Sequence, residues 1–308
     1  MWPLLVIPSD FVARLLPRLE GRVLPVHSTF ERSLNLSVGP TVLLTVTSPS
    51  LGRSPFGLVA ETELGAILPA IRRAGRVTYR TGTWQVDENP VLTLSPRPPY
   101  PTGLTAHTPV PGVSAAAFHQ LLLSLAEPEQ GGLAEVLPHW PCGQPLSQVA
   151  VPPPANLSPG VARAWEPMMV FDHAHTPDLV EAAPRLLGLG LGLTPSGDDF
   201  LLGFVAGRLA QGRRDEVRAL GRALSHRVFD ATSLVSASYL RHAFRGRFGS
   251  QLRRLIAVLH SRSADPQELR TAVLGAIQVG STSGWDTLVG LLTALYRFQH
   301  EQDPVLPR

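Results

Sequence analysis

The chain has 308 residues, 44% of them hydrophobic, which is enough for one large core or two modest domains. All 27 basic residues are arginine, which excludes lysine Schiff-base chemistry and the lysine of a Walker A loop. The net charge of +3 is weak, and the single cysteine, Cys142, excludes an internal disulfide. No apolar run is long enough to span a bilayer and no secretory signal is recognised. We therefore expect a cytoplasmic protein that binds neither membranes nor nucleic acid.

The first hundred residues alternate short runs rich in β-branched side chains with Gly, Pro and Ser, a pattern typical of strands and turns. Five such runs predict strands, at 22–30, 32–38, 41–48, 76–84 and 90–95. One helix is predicted among them, over 61–75. The prolines of 95–112 fit neither regular structure and indicate a connector.

Beyond the connector, apolar residues recur at helical spacing. Ser114 is a predicted N-cap, and a later helix is predicted to begin with Thr176 as N-cap and to end at Gly188. The predicted helices are 114–127, 176–188, 216–229, 231–244, 250–260, 268–280 and 285–298. The expected class is α+β: a β-rich N-terminal lobe (1–98), a Pro-rich connector (99–112) and a mostly helical C-terminal bundle (113–308).

The most informative stretch is "GLTPSGDDFLLG", in which a Thr-Pro-Ser-Gly turn leads into a helix that begins with two aspartates. Gly197 suits a sharp turn, and the hydroxyls of Thr194 and Ser196 can bond free backbone donors. Asp198 and Asp199 face the positive end of the helix dipole. One aspartate would suffice as a cap, at about 1 kcal/mol, so capping does not account for the pair.

A second copy of this pattern lies near the C-terminus. Ser196–Gly203 and Ser283–Gly290 both read Ser-Gly-x-Asp-x-Leu-x-Gly. We predict that the closing glycine of each copy lets the two helices pack together. Asp199 and Asp286 would then face one cleft, with Asp198 beside them. The alternative is two unrelated capped helices in the core.

Such a cleft supports either of two chemistries. Three aspartates and several hydroxyls suit a hard cation such as Mg²⁺, which takes oxygen ligands. Equally, a carboxylate with a raised pKa can take a proton from a nitrogen or oxygen nucleophile. The sequence leaves both roles open.

Four weaker signals point elsewhere. The "GLGLG" at 188–192 has the wrong spacing for a dinucleotide loop, and Ser196 lacks the Gly-x-Ser-x-Gly of a serine hydrolase. His173 and His175 have the spacing of two metal ligands on a strand, but no further histidine cluster completes a zinc site, so a loop is favoured. The arginine-rich stretch 239–254 suits a solvated helix face about as well as an anion site.

Four segments together resemble the AllH-type subunit family of oxamate carbamoyltransferase. They are "GLGLTPSGDDFLLG", "VHSTFERSLNL", "ATSLVSASYLRHAFRG" and "GSTSGWDTLVGLL", and they are spread over most of the chain. The resemblance implies a subunit of a heteromeric enzyme of purine (allantoin) breakdown that exchanges a carbamoyl group between phosphate and oxamate. It implies companion subunits and a small anionic substrate. A non-catalytic subunit that joins catalytic partners is the alternative.

The resemblance also marks the residues of the functional site, and their roles are our own inference. Asp198, Asp199 and Asp286 are the candidate catalytic residues and the candidate Mg²⁺ ligands, Mg²⁺ being the one cofactor that they would suit. The candidate substrate-binding residues are the polar and glycine positions of the matching motifs: Thr194, Ser196, Gly197, Thr232, Ser236, Ser283, Gly284, His27 and Ser28.

Overall fold

The computed structural model describes residues 2–105, 109–127, 130–140, 152–173 and 176–302, with only the backbone of His173. Cys142 and His175 lie outside the described residues. The chain forms two compact units, Met1–Gly103 with Arg247–Gln251, and Leu104–Gly246 with Leu252–Arg308. The returning segment is held in the first unit by backbone hydrogen bonds of 3.0 Å from Phe248 to Thr102 and from Ser250 to Arg53.

The first unit is a closed eight-stranded barrel. Its strands are β1 (Leu4–Pro8), β2 (Val23–Thr29), β3 (Ser33–Gly39), β4 (Val42–Thr47), β5 (Gly57–Ala60), β6 (Arg76–Arg80), β7 (Thr83–Val86) and β8 (Asn89–Leu94). The order around the barrel is β1-β5-β4-β3-β2-β6-β7-β8, and β1 closes it by pairing in parallel with β8. The β4–β5 pair is also parallel, and the other pairs are antiparallel.

Alternation along the strands fills the barrel. Leu34 pairs with Val46 and Leu36 with Leu44, and all four side chains belong to the buried core of the barrel. Because successive side chains point to opposite faces, Asn35 and its cross-strand partner Thr45 lie on the other face of the sheet. The two-residue period that predicted these strands is therefore the property that builds the core.

The sequence located most of these strands. Strands β2 and β4 lie within predicted runs, and β3 and β8 are each shifted by one residue from theirs. The run 76–84 is a hairpin, β6 and β7, that turns at Thr81 and Gly82 with φ of 47° and 79°. Strands β1 and β5 and helix α1 (Asp10–Leu15) were not predicted. The helix predicted over 61–75 is a 3-10 turn, Leu64–Ala66, followed by α2 (Leu68–Ala74).

The second unit is helical. Its elements are α3 (Ala115–Leu125), a 3-10 segment (Gly132–His139), α4 (Pro159–His173), α5 (Thr176–Leu186), α6 (Ser196–Ala210), α7 (Arg214–Leu224), α8 (Val228–Ala231), α9 (Leu234–Ala243), α10 (Ser250–Leu259), α11 (Pro266–Ile277) and α12 (Ser283–Gln302), with α10 beginning in the segment that returns to the barrel unit. Helix α12 is buried from Gly284 to Phe298, and α6 is buried at most of its positions. Helices that are buried on nearly every side lie in the core of a domain, so α6 and α12 form the centre of this unit.

The cap predictions can be compared directly with the helix ends. Ser114 caps α3 by accepting the amide of Ala117 at 3.1 Å, and Gly188 follows α5 with φ of 74°, so both are confirmed. Thr176 is the first residue of α5 rather than its cap. Helix α4 was not predicted, and its last residue, His173, is helical rather than in the favoured loop.

The predicted α+β class is confirmed, with a β region before a helical region. Closure of the β region into a barrel was not predicted. No helix of the described ranges combines the length and the apolar content needed to cross a bilayer.

Candidate functional site

Helices α6 and α12 pack backbone to backbone at two glycines. A Cβ added to Gly203 would overlap the carbonyl oxygen of Thr287, and one added to Gly290 would overlap that of Phe200. Each glycine therefore faces the residue three positions before the other glycine. Further along, a Cβ on Gly207 would lie 2.6 Å from the Cβ of Ala294, so the contacts advance in the same direction on both helices. The helices run parallel with their starts together, and the predicted glycine packing is confirmed.

The first turns of α6 and α12 also pack against the helices that precede them in the chain, α5 and α11. A Cβ on Gly197 would overlap the carbonyl oxygen of Leu186 at the end of α5, and one on Gly284 would overlap that of Ala276 in α11. The amide of Gly197 donates to the carbonyl of Leu189, just after the end of α5. In the same way the amide of Gly284 donates to the carbonyl of Val279, just after the end of α11, and both distances are 2.9 Å. The repeat therefore extends from eight residues to two helix pairs, α5–α6 and α11–α12.

The role expected of Gly197 needs correction. It lies inside α6 and has no left-handed backbone angle, so the sharp turn does not explain it. Its missing Cβ is what lets α6 start against α5. Helix α6 has Pro195 as N-cap and no side-chain cap, so the hydroxyls of Thr194 and Ser196 do not bond the free amides of their own helix.

Asp198 ties three parts of the helical unit together. Its Oδ1 accepts the amide of Gly188 at 2.8 Å, and its Oδ2 accepts the hydroxyls of Ser236, at 2.7 Å, and Thr232. Burial raises the pKa of Asp198, and these three hydrogen bonds work in the opposite direction. Thr232 and Ser236 are thus brought to the motif, where they bind Asp198. Both carboxyl oxygens of Asp198 are occupied within the chain.

Asp199 and Asp286 form a buried pair. Their exposed fractions are 5% and 0%. Each aspartate of the pair is hydrogen-bonded by the serine of the other motif: Ser283 bonds Asp199, and Ser196 bonds Asp286. Thr194 also bonds Asp199, and its Oγ1 lies 2.7 Å from Ser283 Oγ. Asp199 and Asp286 therefore meet, as the repeat predicted, but inside the protein rather than on an open face.

One oxygen of each carboxyl in this pair lacks a partner. Asp286 Oδ1 accepts the amide of Leu133 at 2.5 Å, whereas the Oδ2 atoms of Asp286 and Asp199 are buried without a hydrogen bond. A Cβ on Gly132 would lie 2.6 Å from Asp286 Oδ1, so a glycine is needed where this loop approaches. A buried polar atom without a partner is destabilising. Two of them, on the adjoining starts of α6 and α12, mark this place as the candidate site.

Burial controls the ionisation of the pair. Desolvation raises the pKa of Asp199 well above its ordinary value, and the charge of Asp286 raises it further. Desolvation also raises the pKa of Asp286, to about 6, against the hydrogen bonds from Leu133 and Ser196. The charge of Asp198 also raises the pKa of Asp199, and that of Glu135 raises the pKa of Asp286. Two buried carboxyls in such surroundings favour holding a proton or a cation.

The three aspartates do not form one metal-binding set. No cluster of three or more His, Cys, Asp or Glu side chains that could hold a metal occurs among the described residues. Asp198 uses both its oxygens in hydrogen bonds, which leaves Asp199 and Asp286 with one open oxygen each. Two carboxylate oxygens fit Mg²⁺ only where substrate and water oxygens complete its octahedron.

His27 and Ser28 belong to the barrel unit, on β2. Pairing with β3 is irregular between Val26 and Ser28, which places a bulge at His27, and His27 Nδ1 lies 3.1 Å from Ser28 Oγ. Ser28 also accepts the side-chain amide of Asn35 at 2.9 Å, and Asn35 accepts the hydroxyl of Thr45 at 2.6 Å. The sequence did not indicate Asn35 and Thr45, since alternating polar positions are common in strands.

Comparison with known families adds the identity of the chain. The model of the oxamate carbamoyltransferase subunit AllH matches residues 186–295, which include Asp198, Asp199 and Asp286. The model of the AllH family N-terminal domain matches residues 4–97, the strands of the barrel. No solved structure matches the chain. Since the two matches cover most of its length, the chain belongs to the AllH family of oxamate carbamoyltransferase subunits.

Proposed function

We propose that this chain contributes the carbamoyl-transfer site of a heteromeric oxamate carbamoyltransferase, at the joined starts of α6 and α12. The observation that carries the proposal is the exchange of partners between the motifs. Ser283 bonds Asp199 and Ser196 bonds Asp286, while each carboxyl keeps a buried oxygen free. Two such oxygens lower stability, and a bound ligand would satisfy them.

The reaction requires a small anion and a proton acceptor, and the residues of the two helix starts suit both. Helix starts favour anions, because their free backbone amides are hydrogen-bond donors. During transfer from carbamoyl phosphate, the oxamate nitrogen forms a bond with the carbamoyl carbon and the bond from that carbon to the phosphate oxygen breaks. The nitrogen loses one proton, which Asp199 or Asp286 accepts as general base.

Mg²⁺ is the alternative occupant of the same two carboxyls. Asp199 and Asp286 would hold it together with substrate oxygens, and it would neutralise charge on the leaving phosphate. Under either role Asp198 is a positioning residue. It fixes the start of α6 through Gly188, Thr232 and Ser236 and has no free oxygen for a ligand.

Companion subunits and a cytoplasmic role in allantoin breakdown belong to this proposal. Support comes from the name of the family, which is that of a subunit, and from the resemblance in the four motifs. His27 and Ser28, which belong to the barrel unit, are proposed as substrate-binding residues on the resemblance alone.

The test is reconstituted carbamoyl transfer with the companion subunits. We expect Asp199→Asn and Asp286→Asn each to lower kcat by about 100-fold or more, the size of effect typical of losing a general base. Asp172→Asn is the matched control, because Asp172 in α4 is equally buried and also has an oxygen without a partner. Full activity of both variants, or of the companion subunits without this chain, would instead indicate a subunit that joins catalytic partners.

A further inference from the structure

A row of polar side chains crosses three neighbouring strands of the barrel. Ser28 on β2 pairs with Asn35 on β3, and Asn35 pairs with Thr45 on β4, so the three residues lie side by side across the sheet. Asn35 and Thr45 are 3% and 4% exposed, and Ser28 is partly buried. Buried polar groups need hydrogen-bond partners, and these side chains supply them to one another.

The row extends to His27 because β2 is irregular at that point. Neighbouring residues of a regular strand point to opposite faces, which would separate His27 from Ser28. The bulge between Val26 and Ser28 removes this separation, and His27 Nδ1 lies 3.1 Å from Ser28 Oγ. Since His27 is exposed and Thr45 is buried, the row joins a buried hydroxyl to an imidazole at the surface.

The hydrogen bonds of the row run in one direction. Thr45 donates its hydroxyl to Asn35 Oδ1 at 2.6 Å, and Asn35 Nδ2 donates to Ser28 Oγ at 2.9 Å. Ser28 therefore accepts from Asn35 and keeps its own hydroxyl hydrogen for a further bond. Because a hydroxyl that accepts one hydrogen bond becomes a better donor in the next, Ser28 donates to His27 Nδ1.

We propose that Asn35 and Thr45 are positioning residues that hold His27 as the tautomer with its hydrogen on Nε2. A neutral imidazole has one nitrogen that donates and one that accepts, so an Nδ1 that accepts from Ser28 leaves the hydrogen on Nε2. Because His27 is exposed, this N–H is available as a donor to an anion. The inference rests on the proposed function only in taking that anion to be the substrate, since the tautomer is a property of this chain alone.

The tautomer of His27 can be measured by NMR from the ¹⁵N shifts of its two ring nitrogens. The full chain, labelled at histidine, is studied at a pH at which the ring is neutral, and the variant His27→Gln assigns the signal. We expect Nε2 to be the protonated nitrogen in the wild type. A wild-type ring with its hydrogen on Nδ1 would overturn the inference before any variant of the row is made.

Asn35→Asp should reverse the direction of the row with almost no change in side-chain size. A carboxylate can only accept, so Ser28 would donate to it and would then accept from His27 Nδ1. We expect the major tautomer to change from Nε2–H to Nδ1–H, and an unchanged tautomer would overturn the inference. Thr83→Val is the matched control, because it breaks another cross-strand hydroxyl pair of the barrel, that of Thr83 and Thr93, and should leave the tautomer unchanged.

Thr45→Val tests the buried end of the row without adding a charge. It removes the hydroxyl that holds the Asn35 carbonyl, so the side-chain amide of Asn35 is no longer fixed toward Ser28. We expect the fraction of the Nε2–H tautomer to fall, and this variant also serves if Asn35→Asp does not fold. An unchanged fraction would mean that Thr45 does not position His27.

Kinetics with the companion subunits test whether this N–H meets the substrate. In Asn35→Asp the ring would present an acceptor to an anion, so we expect KM for oxamate to rise about 10-fold or more. We expect kcat to change by less than about threefold, because the proton acceptors of the reaction are Asp199 and Asp286. In Thr45→Val the rise in KM should follow the loss of Nε2–H, and Thr83→Val should leave both constants unchanged.

Two results distinguish this inference from the proposed function. A reversed tautomer in Asn35→Asp with unchanged KM would overturn the inference, and the site at the starts of α6 and α12 would be unaffected. Full carbamoyl transfer by Asp199→Asn and Asp286→Asn would remove that proposed site, whereas the NMR measurements on His27 would still support its positioning by Asn35.

Discussion

The starts of α6 and α12 are two versions of one structure. Their eight-residue motifs differ at three positions, the first of which directly follows Ser-Gly. Both glycines are seated on the preceding helix, and both aspartates turn toward the other motif. Between them α6 carries Asp198, which accepts three hydrogen bonds, whereas α12 carries Trp285, which is buried with an exposed fraction of 2%. One helix start is fixed by polar contacts and the other by an apolar side chain.

This difference separates structure from function within the motif. The position after Ser-Gly can be polar or apolar, because its task is to hold the helix start and packing does that as well as hydrogen bonding. The aspartate that follows is the same in both copies, although it is buried and one of its oxygens is free. A repeated feature that lowers stability points to function rather than to folding.

Substitution of Gly203 and Gly290, the glycines at which α6 and α12 cross, should have the largest effect on stability. Gly203→Ala and Gly290→Ala would each drive a methyl group into a backbone carbonyl of the other helix, which no side-chain rotation relieves. We expect each to lower the free energy of unfolding by about 5 kcal/mol or more, or to prevent folding. Denaturant unfolding measures this, and equal losses would confirm that the two crossings are equivalent.

Gly160→Ala is the control for that experiment. Gly160 lies in α4, and a Cβ there would meet no atom within 4 Å. We expect this variant to unfold within about 1 kcal/mol of wild type, on the stable side, since alanine favours helices. A small effect at only one of the two crossing glycines would contradict the equivalence.

Asp172 is a buried carboxyl outside both motifs and should make stability depend on pH. Burial raises its pKa from 3.8 to about 7, against the opposing charge of Arg297, and His300 Nε2 lies 3.9 Å away. Below pH 4 it is protonated in the folded and unfolded states alike. As pH rises from about 4 to about 7, only the unfolded state ionises readily, so the folded state loses up to about 4 kcal/mol.

Asp172→Asn tests this linkage, because the amide does not ionise. We expect the variant to be more stable than wild type at pH 8 and to match it near pH 4, as measured by denaturant unfolding across that range. A wild-type stability that rises between pH 4 and 7, with no change of slope in the variant, would contradict the assignment.

Single substitutions of Asp198 and Asp199 by asparagine should show that these adjacent aspartates of α6 contribute differently to stability. Asp198→Asn would turn an amide toward donors that now bond a carboxylate, and we expect a loss of about 2 kcal/mol. Asp199→Asn removes an ionisable group whose charged form is disfavoured by burial and by Asp286, and we expect no loss of stability at pH 8. Thermal unfolding of the two variants side by side gives the comparison. Equal destabilisation would mean that both aspartates are structural.

Loss of the hydrogen bond between the hydroxyls of Thr194 and Ser283 should have the smallest effect on stability. Thr194→Val and Ser283→Ala each break the 2.7 Å contact, and we expect each to cost about 1 kcal/mol, with a coupling of about 0.5 kcal/mol or more in the double variant. Ser281→Ala, at an exposed position of the same turn, is the control and should be neutral. Additive effects would show that the two hydroxyls act independently.

Much of the fold followed from local pattern. Helices α9 to α12 and strands β2 to β4 have periodic apolar residues that are sufficient to locate them. Strands β1 and β5 escaped prediction because they are short, with five and four residues. Closure of the barrel depends on β1 pairing with β8, some 90 residues away in sequence, and no local pattern carries that information.

In the candidate site, too, local sequence pattern predicted some contacts, whereas others depend on residues distant in sequence. The repeated glycines predicted the meeting of Asp199 and Asp286, because only a residue without Cβ allows two helix backbones to touch. No local pattern indicated that Leu133 would bond Asp286, since that contact comes from the 3-10 segment Gly132–His139, about 150 residues earlier. It also placed Asp198 with the other two aspartates, although its carboxyl is fully used in hydrogen bonds.

The sequence by itself determined the α+β class, the family and the two helix starts that pack together, because these depend on periodicity and on glycines at fixed spacing. Tertiary structure alone decided the closure of the barrel, the burial of the aspartate pair and the separation of Asp198 from it. Burial and hydrogen-bond partners are supplied by residues far apart in the chain. They set the ionisation and the free oxygens of a carboxyl, so the chemistry of this site becomes visible only once the chain is folded.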